Sequence, residues 1–171
     1  MRFCDITHKL KYGLAVFFSA TCVTACAETL NGHVVGVADG DTITVLDDSN
    51  EQHKIRLSGI DAPEKNQPYG LASKQSLTDQ VYNRQVSVET SKRDRYGRLI
   101  GKVRVDGNDA NLEQLRRGLA WHYKAYEGEQ ELLDRVTYTG VEITARLAGR
   151  GLWEDPEPVA PWDWRKNKVL R

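Results

Sequence analysis

Five short runs with the two-residue alternation of half-buried β-strands lie between residues 34 and 107, and one helical stretch separates the third from the fourth. Val34 to Ala38 and Thr42 to Leu46 are joined by Asp39-Gly40-Asp41, whose Asp-Gly pair favours a tight hairpin turn. In "HKIRLSGI", residues 53–60, Ile55 and Leu57 alternate against Lys54 and Arg56. A loop between Pro63 and Pro68 leads into residues 69–83, where Leu71, Leu77 and Val81 recur at near-helical spacing. Residues 85–91 and 98–107 supply the fourth and fifth strands, separated by the charged turn "KRDRYG". Residues 111–118 and 129–149 read as two further helices, the first stopped by Gly118. Five strands are too few for a sandwich. They suit a small closed Greek-key barrel, in which closure removes exposed edges, with the helices packed against it in an α+β fold.

The first 27 residues stand apart. Arg2, Lys9 and Lys11 precede the apolar run "GLAVFFSATCVTACA", which ends in Ala25-Cys26-Ala27 and has the form of a secretory signal. The run is short for a membrane span, and none is expected. "VTAC" also resembles a lipoprotein cleavage site that would leave Cys26 as a lipid-bearing N-terminus, so both modes of processing stay open. Periplasmic or secreted export is the expectation. All three cysteines lie in this segment, which leaves a chain beginning at Glu28 without a thiol nucleophile or a zinc–thiolate site. Without its three basic residues and one acidic residue, the remainder has 21 Lys+Arg against 23 Asp+Glu, a net charge of −2. General polycation binding is therefore unsupported, and an anionic partner must be held by local positive groups. One domain is expected over 28–155. A Pro/Trp-rich tail, 156–171, follows, with Trp162 and Trp164 pinning it to the body.

Charged residues cluster in "RLSGIDAPE", residues 56–64. Asp41 follows the first hairpin turn and Asp61 ends the third strand, and in a small barrel such ends can meet at one rim. Two carboxylates with a backbone carbonyl and waters make a site for a hard divalent cation. Taken alone, Asp39 and Asp41 read as turn formers and Asp61 as a loop cap. Glu64, just beyond Pro63, is near enough to hold or deprotonate a cation-associated water. Arg56 lies five residues before Asp61, about 16 Å along a straight strand, so the two meet only if the chain bends, which Gly59 permits. Arg56 and Arg98 carry the planar fork that matches phosphate oxygens two at a time.

"DGDT", "RLSGIDAPE" and "DRYGR", in that order, together with "NLEQLRRGLAW", resemble the staphylococcal (micrococcal) nuclease-like family, or thermonuclease, from about Val34 through Trp153. The resemblance implies an oligonucleotide-binding (OB-fold) barrel with three helices and a Ca²⁺-dependent hydrolysis of DNA and RNA that leaves 3′-phosphate ends. It places Asp41, Asp61 and the Ala62 carbonyl on the metal and Asp39 in its outer sphere. It places Arg56 and Arg98 on the scissile phosphate, and Glu64 as general base. Lys124 and Tyr126, with Tyr123 adjacent, fall where the family's nucleotide-flanking tyrosines stand. A monomer acting on nucleic acid without an obligate protein partner is implied.

A different class is a non-catalytic OB-fold module that binds single-stranded nucleic acid or a protein partner. Such a module has no reason to keep two metal carboxylates, Glu64 and both arginines together. A serine–histidine hydrolase is poorly supported, because no Ser-containing elbow accompanies His33, His53 or His122.

Overall fold

The computed structural model describes residues 28–169. The expected secretory segment, 1–27, lies outside them. In chain order the elements are β1 (Glu28–Asp39), β2 (Thr42–Asp47), β3 (Gln52–Leu57), β4 (Ile60–Asp61), α1 (Gly70–Val81), β5 (Gln85–Arg93), β6 (Leu99–Val105), β7 (Asn108–Asp109), α2 (Ala110–Arg116), β8 (Trp121–His122), α3 (Leu132–Leu147) and α4 (Pro161–Val169). Single 3₁₀ segments cover Lys124–Glu129 and Gly151–Glu154. None of the described helices is long and apolar enough to cross a membrane.

Strands β3, β2, β1, β5 and β6 pair in that order, antiparallel at each step, and β3 then pairs parallel with β6. That last ladder, Ile55↔Leu99 to Leu57↔Gly101, closes a five-stranded barrel. Its interior is filled by the inward set of the alternation: Val34, Ile43, Val45, Ile55, Leu57, Val86, Val88, Val103 and Val105, all buried. Leu77 and Val81 of α1, Leu115 of α2 and Tyr138 of α3 extend this core from outside the barrel. A smaller cluster of Ala145, Leu152 and Trp153 packs with Tyr69 and Trp121.

Besides the two-residue strands β4, β7 and β8, three elements differ from the sequence expectation. β1 starts at Glu28 because 28–33 pair with β5, from Glu28↔Thr90 to His33↔Gln85, although "ETLNGH" carries no alternating apolar pattern. The third helix begins at Leu132, since residues 124–129 form the tighter 3₁₀ turn first. The proline-rich tail contains a helix, α4, whose first residue is Pro161. Proline suits that position because its fixed φ is helical and its missing N–H has no partner there in any case.

Candidate active site

Two turns at the rim set the geometry. The β1–β2 turn delivers Asp41, whose carbonyl accepts from Leu57 N–H at 2.8 Å, tying the turn to the end of β3. Beyond Leu57 the chain reverses at Ser58-Gly59, where Gly59 has φ 72°, a left-handed conformation that glycine adopts at no steric cost. The reversal returns Asp61 toward the strand it has just left. A straight strand would keep Arg56 and Asp61 apart. Here Arg56 Nη2 donates to Asp61 Oδ1 at 2.7 Å.

Arg56 bridges both aspartates, its Nη1 being paired with Asp41 Oδ1. Asp41 Oδ2 accepts from Ala62 N–H at 2.7 Å, and its Oδ1 accepts from Thr42 Oγ1 at 3.1 Å. Asp41 is 3% exposed and Asp61 fully buried, so neither carboxylate has bulk water to solvate its charge. Burial pushes the Asp41 carboxyl up, but the Arg56 guanidinium and the Ala62 N–H outweigh it and hold the group below its ordinary value. Asp39, which accepts from Asp41 N–H at 3.1 Å, has no such cation. Burial and then the charge of Asp41 raise it to about 6. Arg56 is raised above its ordinary value: burial works against its charge, and Asp41 and Asp61 together prevail.

Arg98 joins the same rim by a different route. Its Nε and Nη2 both lie 2.8 Å from Asp94 Oδ2, and its Nη1 donates to Thr42 Oγ1 at 3.4 Å. Thr42 thus links Arg98 to Asp41. Asp94 also accepts from the N–H groups of Tyr96 and Arg98, which shapes the turn around the arginine it holds. Glu64 is half-exposed at the edge of the cluster, with its backbone locked by Gln67: Glu64 N–H donates to Gln67 Oε1 at 3.0 Å.

One partner is absent from every sequence motif. Arg165 of α4 donates from Nη2 to Asp61 Oδ2 at 2.7 Å and from Nη1 to Glu64 Oε1 at 2.8 Å and Asp61 Oδ1 at 3.2 Å. The charges therefore alternate, Asp41–Arg56–Asp61–Arg165–Glu64. No signal in "WDWRKNK" marks Arg165, because its partners are about a hundred residues away. Asp94 was legible only as the first residue of a turn ending at Gly97.

The aromatic positions form a ladder beside the acids. Tyr123 stacks on Trp162 of α4, with ring centroids 5.4 Å apart and planes 11° from parallel, and meets Tyr126 edge-on at 5.1 Å. Burial and the neighbouring charge of Asp61 raise the Tyr123 phenol above its ordinary value. Tyr126 is half-exposed, with Lys92 Nζ 5.7 Å from its ring centroid. Lys124 is directed elsewhere, to Glu142 of α3 at 3.3 Å. The histidines have structural partners: His122, buried, contacts Gln130 Oε1 and Thr139 Oγ1, and His33 contacts Asn83.

The Asp41 and Asp61 carboxylates, with the Ala62 carbonyl, would offer only hard oxygen, which fits Ca²⁺ or Mg²⁺ and not a soft metal. A different group, Asp47, Glu51 and His53, brings ligand atoms within 4.8 Å of one another. It lies at the far end of the β2–β3 hairpin, where Asp47 caps the turn by accepting from Ser49 and Glu51 N–H.

A closed five-stranded barrel bearing paired buried carboxylates, a Glu and two anchored arginines at one rim defines an OB-fold phosphodiester hydrolase. Residues 54–155 match the staphylococcal nuclease homologue family, and the chain belongs to it. It is 42% identical over 159 residues to an uncharacterized endonuclease of Escherichia coli O157:H7, spanning 92% of this chain and 99% of that protein. An uncharacterized endonuclease of Haemophilus influenzae is 38% identical over 151 residues, 88% of this chain and 82% of its own. The staphylococcal-like nuclease CAN1 of Arabidopsis thaliana is 40% identical over 118 residues, 69% of this chain and 35% of its own length. The protein is a nuclease.

Proposed function

We propose that the protein is an exported, Ca²⁺-dependent endonuclease that hydrolyses DNA and RNA and leaves 3′-phosphate ends. The observation that carries the reading is the direct bridging of Asp41 and Asp61 by Arg56, with Glu64 joined to the same cluster. Asp41, Asp61 and the Ala62 carbonyl would hold the cation, which when bound would supply Lewis-acid polarisation of a phosphoryl oxygen and offset its charge. Glu64 holds the attacking water and takes its proton as the P–O bond forms. Arg56 and Arg98 donate to the non-bridging oxygens, whose charge is distributed differently in the transition state, and Asp94 keeps Arg98 aimed while this happens. The 5′-oxygen leaves, taking a proton from solvent. Tyr123 and Tyr126 flank the nucleotide. The basic, apolar and small-residue order of 1–27 supports export, with cleavage after Ala27 or before Cys26.

Incubation with plasmid DNA and with RNA, in Ca²⁺ and then in EGTA, tests the reading. Cleavage only with Ca²⁺, products blocked to 3′-extension until a phosphatase is added, and nicked plasmid appearing before linear are the expected results. Undiminished cleavage in EGTA, or free 3′-hydroxyl ends, contradicts it.

A further inference from the structure

Arg165 occupies carboxylate oxygens of Asp61 and Glu64, the acids assigned above to the cation and the water. Asp61 Oδ1 accepts from both Arg56 Nη2 and Arg165 Nη1, which uses its two lone pairs, and Asp61 Oδ2 accepts from Arg165 Nη2. Glu64 Oε1 is held by the same guanidinium. A cation on Asp61 Oδ1 must displace Arg56 or Arg165, and Glu64 Oε1 meets a water only by giving up its contact with Arg165. Arg165 is also held in place from behind. Trp162, one helical turn earlier on α4, is stacked on Tyr123 and packs edge-on against Trp121 at 5.6 Å. The segment leading into α4 is tied down by Gln67 Nε2 donating to Val159 O at 2.6 Å.

We propose that Arg165 is an internal counter-ion that competes with the divalent cation for Asp61 and Glu64, and so sets the cation concentration at which the site assembles. It is a positioning residue: without cation it neutralises acids that would otherwise repel one another, and it competes with an entering cation for the oxygens of Asp61 and for Glu64 Oε1. The inference rests on the cation-dependent reading above and adds to it a specific determinant of cation affinity, supplied by the tail and not by the barrel.

Calorimetric titration of CaCl₂ into the chelator-treated full chain tests it, with wild type, R165Q, R165K and W162A compared and D41N as the control lacking a ligand. R165Q is expected to bind Ca²⁺ about tenfold more tightly than wild type, since removing one positive charge beside a divalent ion is worth about that factor. R165K, which keeps the charge but loses the fork, falls between the two. W162A, which frees α4 without altering the charge cluster, shifts Kd in the same direction as R165Q. Thermal melts separate this from a structural role. In EGTA R165Q melts below wild type, and at saturating Ca²⁺ the gap narrows because tighter binding adds stability. An equal gap in both buffers, or an unchanged Kd, overturns the proposal. An unchanged Kd with a lower kcat makes Arg165 a substrate ligand instead, which also overturns it. If wild type and R165Q both fail to bind Ca²⁺, the cation-dependent reading falls and this inference with it.

Discussion

Arg98 has little freedom of its own: Asp94 takes its Nε and Nη2 together, and Thr42 takes its Nη1. A guanidinium fixed in this way meets a phosphate without first losing rotamer entropy. Asp94→Asn keeps the size but loses the charge-assisted pair, and kcat/KM should fall roughly 10- to 100-fold with the fold intact. Burial raises the Asp94 carboxyl, while the Arg98 side chain and the two turn N–H groups together outweigh it, leaving it below its ordinary 3.8. A depressed carboxylate contributes stability that is present above 3.8 and lost as pH falls through the folded value. Carboxyl NMR should therefore show Asp94 titrating below 3.8, and D94N should flatten the acid limb of stability there. A midpoint at or above 3.8 contradicts the assignment. Arg56→Lys is harsher, because one ammonium cannot bridge Asp41 and Asp61 as the fork does. We expect kcat at saturating Ca²⁺ to drop by about 10³ or more, and turnover near wild type would exclude the role given to Arg56.

Between residues and molecule, the β3–β4 reversal decides whether these charges meet at all. Gly59 has φ 72°, and a Cβ there would stand 2.2 Å from Gln130 Nε2 and 3.2 Å from Tyr138 Cε2. Gly59→Ala should cost about 1–3 kcal/mol in urea unfolding, from left-handed strain and the displaced neighbours. Activity should fall by more than the unfolded fraction explains, because the bend registers Arg56 against Asp61. This element shows what the sequence could carry. The five barrel strands were legible because Val, Ile and Leu recur with period two and face one closed core. The contact between Arg56 and Asp61 was not, since spacing along a strand says nothing of where a permissive glycine turns. Helix α4 was hidden for a related reason: Pro156, Pro158 and Pro161 read as loop, yet only Pro161 enters the helix, at the one position that tolerates it. As for the site, Asp39-Gly40-Asp41 alone is a turn like any other. Its functional reading came from the family resemblance, which covers the barrel motifs and stops short of Arg165.

For the whole molecule, charge decides how nucleic acid can be held. The chain from Glu28 carries 21 basic and 23 acidic residues, a net of −2, so no diffuse positive field gathers the polyanion. The arginines proposed to face phosphate are two, and much of the remaining basic surface is paired: Arg104 with Glu89, Lys102 with Asp134, Arg116 and Arg117 with Glu113. Affinity must then come from a small number of local contacts at the rim and from stacking on Tyr123 and Tyr126, which salt does not screen. With Arg56 and Arg98 as the phosphate ligands, the slope of log K against log salt should be roughly −1.4 for a single-stranded oligonucleotide, at about 0.7 counterions released per contact. A protein relying on a basic groove with six or more contacts would give a slope beyond about −4. Anisotropy titrations with the Glu64→Gln variant, in which the proposed base is removed so that the oligonucleotide survives, read the slope directly. A steep slope would mean that phosphates are gripped well outside the Asp41–Asp61 rim, and that the acidic balance of the chain conceals a basic track the site geometry does not account for.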